Sequence, residues 1–170
     1  VLTNKELLKR ARIHPLNVLK ALTTYSQGHG DKGSLRWTPT VGIMNALQEA
    51  FEYSFDFVEP SGKNLMLALD VSGSMIDKKV AGNPGLNCAM AAACMALITA
   101  KVEPNYTVMG FSDKFTNLNI LKTDNIDSVM QKMFGLPFAR TDCSLPMQYA
   151  AKENIPVDMF QIYTDNETYM

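Results

Sequence analysis

The chain has 170 residues, 46% of them hydrophobic and 19% charged, and its net charge is −1. This composition is typical of an ordinary soluble globular protein, and no apolar run approaches the roughly 18 residues that a membrane-spanning helix needs. The charge is uneven, because residues 1–37 hold seven Lys or Arg against two acidic residues, whereas the remainder is acidic. This division indicates two units with different partners.

The first 57 residues have the patterns of successive helices. Thr3 and Glu6 have the spacing of a capping box, which predicts a helix start. Pro15 opens a second helix, and Gly28-His29-Gly30 ends it. Thr38-Pro39 predicts the start of a third helix. We therefore expect an all-α unit over residues 1–57 that completes a larger helical array.

Positive residues cluster in this helical part. Lys5, Lys9 and Arg12 are predicted to lie on one face of the first helix, which is either a solvated surface or a surface that neutralises phosphates. His29 lies between glycines, where backbone can approach a ligand closely. The candidate nucleic-acid contacts are Lys9, Arg10, Arg12, His29 and Lys32.

From residue 58 onward, strand patterns alternate with helix patterns. The expected strands are 65–69, 106–111, 118–121 and 159–164. The first expected helix runs from Asn83 or Pro84 to about Val102. A second helix is expected after Asp124, which would cap it, and a third over residues 146–152. Such alternation predicts an α/β fold with a mostly parallel sheet and helices on both faces. We interpret the chain, which begins at Val1 and stops after a strand pattern, as an internal fragment.

Cys88, Cys94 and Cys143 have no spacing that suggests a disulfide framework. An odd count without a pairing signal favours reduced thiols and an intracellular setting.

Polar oxygens follow two of the predicted strands. Asp70, Ser72 and Ser74 come directly after the strand 65–69, and Asp165 follows the strand 159–164. If these strands are parallel neighbours, both carboxylates emerge at the same edge of the sheet. Thr141, in the loop after a helix, could bring a third hydroxyl there. Oxygen ligands of this kind suit a hard divalent cation. The first candidate is Mg²⁺ and the second is Mn²⁺.

This set resembles the metal-ion-dependent adhesion site (MIDAS) of von Willebrand factor A (vWA) domains, whose pattern is Asp-x-Ser-x-Ser, a distant Thr and a distant Asp. The resemblance implies that Ser72, Ser74 and Thr141 bind the metal directly. It also implies that Asp70 and Asp165 bind through water, and that an acidic group of a protein partner completes the coordination.

A wider resemblance covers nearly the whole chain. The chain is similar to the Ro/SS-A ribonucleoprotein autoantigens of the TROVE family in these segments: His14-Pro15, Gly28-His29-Gly30, Leu35-Arg36-Trp37, Val58-Glu59-Pro60, residues 141–147 and residues 164–168. This resemblance implies HEAT-like helices over residues 1–57, followed by a truncated, Rossmann-type A domain over residues 58–170. It also implies a noncatalytic, monomeric protein of the cytoplasm and nucleus that binds small noncoding Y RNAs and misfolded RNAs in RNA quality control.

Two other functions remain open from the residues. One is a metal-dependent protein-interaction module of the adhesion type, without any role in RNA binding. The other is a phosphohydrolase with Asp70 as nucleophile. Such enzymes carry a second Asp two residues further on, where this chain has Ser72. We find no catalytic assembly in the sequence and expect a protein that is not an enzyme.

Overall fold

A computed structural model describes residues 2–111, 114–136 and 141–165. The chain divides into two compact units, residues 1–59 with 79–86, and residues 60–78 with the chain from 87 onward. The division falls two residues after the expected boundary at 57, and it adds the segment 79–86 to the first unit. No helix among the described residues has the length and apolarity needed to cross a membrane.

The first unit is built from helices α1 (Lys5–Arg10), α2 (Pro15–Ser26) and α3 (Val41–Ser54), followed by a 3₁₀ turn (Phe55–Phe57). Helix α3 packs against both α1 and α2. Their buried faces supply the core, which includes Leu8, Val18, Leu19, Leu47, Ala50, Phe51 and Phe55.

Two helix starts in this unit differ from the sequence expectation. Asn4, and not Thr3, caps α1, since its side-chain oxygen accepts a hydrogen bond from Leu7 N–H at 3.1 Å. Helix α3 begins two residues after Pro39, because Thr40 is held in extended backbone with its N–H donating to the Tyr25 hydroxyl at 3.3 Å.

The loop between α2 and α3 depends on Gly28 and Trp37. Gly28 has a φ of +74°, and a Cβ there would lie 2.8 Å from the carbonyl oxygen of Trp37. The Trp37 indole donates to the Tyr25 carbonyl at 2.8 Å and its ring stacks on Tyr25. Trp37 therefore anchors this loop.

The second unit contains a four-stranded sheet in the order β5-β4-β1-β6. Its strands are β1 (Leu65–Asp70), β4 (Tyr106–Phe111), β5 (Phe115–Asn117) and β6 (Met159–Tyr163). Strand β1 pairs in parallel with both β4 and β6, whereas β5 is antiparallel to β4. Every residue of β1 is buried, so both faces of this central strand are covered. The predicted α/β fold with a mostly parallel sheet is confirmed.

The helices of this unit are α4 (Ser74–Asp77), α5 (Cys88–Val102), α6 (Ile126–Phe134) and α7 (Leu145–Lys152). Helix α5 contacts β1 and β4 and also packs on α6, while α7 contacts β5. The small apolar side chains of α5 are largely buried, as expected from its apolar run. Cys88, Cys94 and Cys143 form no disulfide bonds, and burial raises the pKa of Cys94 to about 12.

Three element boundaries between residues 79 and 125 contradict the sequence expectation. Asn83 and Pro84 do not open a helix, because residues 83–87 form strand β3, which pairs with β2 (Lys79–Val80), and Asn87 caps α5. The edge strand is β5, not 118–121. Asn125, not Asp124, caps α6 through a reciprocal capping box with Ser128. Asp124 instead accepts hydrogen bonds from Leu121 N–H and the Ser128 hydroxyl.

A buried carboxylate ties the start of the second unit to the end of helix α5. Glu103, which is 7% exposed, accepts hydrogen bonds from Ser61 N–H at 2.8 Å and Gly62 N–H at 3.2 Å. Burial opposes ionisation, but the hydrogen bonds from Ser61 and Gly62 outweigh it, so the pKa of Glu103 is lowered.

We expect Glu103→Gln to destabilise the protein by about 1–3 kcal/mol at neutral pH, the usual value of a hydrogen bond to a charged group. Since the folded-state pKa is lowered, this stabilisation is present above the unfolded-state pKa and is lost as the pH falls through the folded value. Denaturant unfolding at several pH values measures the difference. The exposed Glu153→Gln variant is the control, and a Glu103→Gln effect that persisted in acid would contradict the assignment.

Candidate metal centre

The parallel pairing of β1 with β6 brings the two predicted carboxylates to one edge of the sheet. Asp70 is the last residue of β1, and Asp165 follows the end of β6 by two residues. In the register of these strands, Leu69 lies beside Tyr163. The strand arrangement on which the predicted site depends is therefore confirmed.

Asp70 is fully buried and links three segments that are distant in sequence. Its Oδ1 accepts from the Ser72 N–H at 2.8 Å and from the Thr141 hydroxyl at 3.4 Å. Its Oδ2 accepts from the Thr164 hydroxyl at 2.9 Å. These bonds hold the carboxyl group in place and satisfy both of its oxygens.

The hydroxyls of Ser72 and Ser74 face each other on the loop that leaves β1. Their Oγ atoms are 3.0 Å apart, and both residues are half-buried. The turn is closed by hydrogen bonds within the segment, where Met75 N–H donates to the Ser72 carbonyl at 3.2 Å. The predicted convergence of the two hydroxyls is thus confirmed.

Thr141 is buried, at 4% exposed, and a turn follows it. Asp142 Oδ1 accepts from the Ser144 hydroxyl at 2.6 Å and from the Ser144 N–H at 2.8 Å. These two bonds lower the pKa of Asp142. The turn leads from Thr141 into α7.

Asp165 has a side chain that is only 1% exposed, and it forms an ion pair with Lys78. The Lys78 Nζ lies 3.5 Å from Asp165 Oδ2, and the lysine side chain is 40% exposed. Lys78 follows α4 directly, so the loop that supplies Ser72 and Ser74 also supplies this cation.

Sequence reasoning missed Thr164 and Lys78. Thr164 lies between strand β6 and the predicted ligand Asp165. A polar residue at that position could have been recognised from the sequence as a candidate for the site. Lys78 lies four residues after Ser74, but that spacing indicates proximity only once residues 74–77 are known to be helical.

The donor set fits a hard divalent cation. Among residues 2–111, 114–136 and 141–165, no group of three or more His, Cys, Asp and Glu side chains could hold a metal, so the soft ligands of a zinc site are not clustered there. The Thr141 hydroxyl donates its hydrogen to Asp70 Oδ1, and the oxygen of a hydroxyl that donates keeps the lone pairs with which hydroxyls bind cations. Neutral hydroxyls with nearby carboxylates are oxygen donors of the kind that Mg²⁺ and Mn²⁺ accept.

Residues 64–170 match the family described as the Ro60 vWA domain. This chain belongs to the Ro60 family. The resemblance to the Ro/SS-A proteins that the sequence motifs suggested is confirmed. Residues 166–168 of the last motif lie outside the described residues.

Relatives in the Ro60 family match almost the whole chain. RNA-binding protein RO60 of Deinococcus radiodurans is 48% identical over 168 residues, which are 99% of this chain and 32% of that protein. RNA-binding protein RO60 of Caenorhabditis elegans is 46% identical over 168 residues, 99% of this chain and 26% of that protein. The chain therefore spans about a third or less of the relatives it matches.

The same relationship holds in three dimensions. The crystal structure of the Deinococcus radiodurans RO (RSR) protein superposes on this chain with a TM-score of 0.92 at 48% identity. The superposition covers 99% of this chain and 34% of the Ro protein. The whole described fold, including the helices before the Ro60 vWA domain, therefore has a counterpart in a Ro protein.

The structure places the candidate RNA contacts of this Ro60 chain in two locations. Lys9 and Arg10 end α1, but Arg12 lies beyond the helix at a φ of 48°, so the predicted common helix face with Lys5 is wrong for Arg12. Lys9 and Arg12 line a cavity of about 720 Å³ together with Asp56, Phe57 and Glu59. These acidic neighbours partly compensate the positive charge.

The other two candidates lie in the loop after α2. His29 and Lys32 are both exposed, and the His29 ring is 3.1 Å from the Gly30 carbonyl. His29 also forms an isolated antiparallel bridge with Arg36. The loop thus presents His29, Lys32 and Arg36 in a defined backbone frame.

Proposed function

We propose that this chain is part of an RNA-binding ribonucleoprotein component that binds small noncoding (Y) RNAs and misfolded RNAs and acts in RNA quality control. The observation that carries the proposal is the 48% and 46% identity, over 99% of the chain, to proteins named RNA-binding protein RO60. We further propose that it is not an enzyme, and that it is a monomer of the cytoplasm and nucleus.

Exposed basic residues of the first unit support this role. Lys9, Arg10, Arg12, His29 and Lys32 are all exposed. Exposed lysine and arginine side chains bind RNA by neutralising phosphates, a contribution that weakens as salt increases. Their exposure supports a phosphate contact at each position without specifying the RNA sequence.

The second part of the proposal is a divalent-metal site that recruits a protein partner. In it, Ser72, Ser74 and Thr141 would hold Mg²⁺, or Mn²⁺, directly, and Asp70 and Asp165 would act through water. A cation held mainly by neutral hydroxyls keeps much of its charge, which it would supply to an acidic group of the partner. The buried Asp70 supports this role, because it accepts hydrogen bonds from the Ser72 N–H and from the Thr141 hydroxyl and so joins the two segments that carry the proposed ligands.

The same geometry disfavours the phosphohydrolase hypothesis. A nucleophilic carboxylate must reach a substrate, but Asp70 is fully buried and both of its oxygens accept hydrogen bonds. The adhesion-type alternative shares the metal site but has no role in RNA binding. The relatives in Deinococcus radiodurans and Caenorhabditis elegans are named as RNA-binding proteins, which favours the RNA-binding function.

Binding of a structured small noncoding RNA by the full-length protein tests the RNA proposal. We expect the logarithm of the association constant to fall linearly with the logarithm of salt concentration. Replacing Lys32 with Gln should weaken binding and reduce that slope by about one if it contacts a phosphate.

Lys152→Gln is the matched control, since Lys152 has an 82% exposed side chain in the other unit. Binding that ignored salt, or no binding, would contradict the RNA proposal. An unchanged slope for Lys32→Gln would remove only that residue from the contact surface.

A further inference from the structure

Lys78 places a positive charge on a carboxylate of the proposed metal site. Its Nζ is 3.5 Å from Asp165 Oδ2. The two partners differ in environment, because the Asp165 side chain is 1% exposed and the Lys78 side chain is 40% exposed. The carboxylate is buried in the protein, while the lysine reaches it from the solvent side.

The backbone of Lys78 is fixed on both sides. Its N–H donates to the Ser74 carbonyl at 2.8 Å, and its own carbonyl accepts from Cys88 N–H at 3.0 Å. The first bond attaches Lys78 to the loop that carries the serine hydroxyls, and the second attaches it to the start of α5. Hydrogen bonds therefore hold the backbone of Lys78 to both of these segments.

The energetic value of this pair follows from the burial of Asp165. Exposed ion pairs contribute little, but a buried carboxylate without a compensating cation is costly. A divalent cation at the site would provide the same compensation. Lys78 and a bound metal would thus both bring positive charge to the same buried carboxylate.

We propose that Lys78 competes with the divalent cation for Asp165 and thereby sets the metal affinity of the site. This inference rests on the proposed metal-binding function. In the absence of metal, the ion pair with Lys78 contributes to the stability of the folded site. When metal binds, Asp165 interacts with the metal and its ion pair with Lys78 weakens. The stabilisation lost from the ion pair reduces the net free energy of metal binding.

The test compares Lys78→Met with the wild type in the full-length protein by calorimetric titration with MgCl₂ and MnCl₂. We expect Lys78→Met to bind either metal at least about five-fold more tightly, the lower range of coupling between two sites. Lys78→Arg, which keeps the charge, should retain an affinity close to that of the wild type. Lys79→Met is the matched control, since it removes the same charge from the exposed neighbouring residue.

Thermal unfolding gives a second readout that is independent of titration. Without metal, Lys78→Met should unfold at a lower temperature than the wild type, because the buried Asp165 loses its ion pair with Lys78. Saturating metal should raise the unfolding temperature more in Lys78→Met than in the wild type. If Lys78→Met does not fold, Lys78→Gln replaces it in both measurements.

The outcomes separate this inference from the metal proposal. If the wild type and Lys78→Met bind metal equally, or the variant binds more weakly, the competition is refuted while the metal site stands. If neither protein binds Mg²⁺ or Mn²⁺, the proposed metal function fails and the inference fails with it. If Lys79→Met has the same effect as Lys78→Met, the effect is one of general charge and the specific role of Lys78 is refuted.

Discussion

Replacing Ser72 and Ser74 together with alanine is expected to lower the affinity of the full-length protein for Mg²⁺ or Mn²⁺ by at least about 100-fold. Loss of outer-shell partners alone typically reduces metal affinity by about 10–100-fold, and these hydroxyls are proposed to contact the metal itself. Calorimetric titration with each metal measures the change.

The fold should survive this double substitution. The two hydroxyls bond to each other at 3.0 Å, whereas Asp70 is held by the Ser72 backbone N–H and by two threonines that the change leaves in place. We expect the metal-free unfolding free energy to fall by no more than about 1 kcal/mol. Ser34→Ala, at an exposed serine, is the control. Equal metal affinity before and after the double change would mean that the ligands are assigned wrongly.

Leu67→Asp is expected to unfold the A domain. Leu67 is fully buried in β1, between Val108 of β4 and Gln161 of β6. An unpaired charge there costs about 3–5 kcal/mol or more, a large share of the roughly 5–15 kcal/mol that stabilises a typical domain. Denaturant unfolding and the yield of folded full-length protein measure the effect.

The same substitution at an exposed leucine is the control for this prediction. Leu35 is 70% exposed, so Leu35→Asp should change the unfolding free energy by less than about 0.5 kcal/mol. A stable, folded Leu67→Asp protein would contradict the placement of β1 at the centre of the sheet. It would also remove the basis for placing Asp70 at the sheet edge.

The sequence predicted the parts of the fold that have strong local signals. The apolar run before Asp70 and the run before Asp165 are readable as buried strands, and their parallel pairing follows from the alternation of strands and helices. Pro15 and Gly28 delimit α2 because proline fits a first helical turn and glycine accepts a positive φ. The carboxylate edge of the site was therefore predictable from local sequence.

The remaining features depend on contacts that no local pattern encodes. The segment 83–87 contains proline and glycine that suggest a helix start, but pairing with β2 makes it a strand. Thr40, not Thr38, precedes α3 because Tyr25 from the preceding helix bonds to it. The contacts of Thr164 with Asp70 and of Lys78 with Asp165 span 94 and 87 residues of sequence respectively. Such long-range pairs become visible only when the chain is folded.

The most direct test of a divalent cation at this edge of the sheet is a crystal structure of the full-length protein grown with Mn²⁺, with the anomalous scattering of manganese recorded. We expect one manganese peak at the edge of the sheet, within about 2–2.5 Å of the hydroxyl oxygens of Ser72, Ser74 and Thr141. Asp70 and Asp165 should lie one water further away. A map with no manganese at this edge under saturating concentrations, or a peak held by other residues, would contradict it.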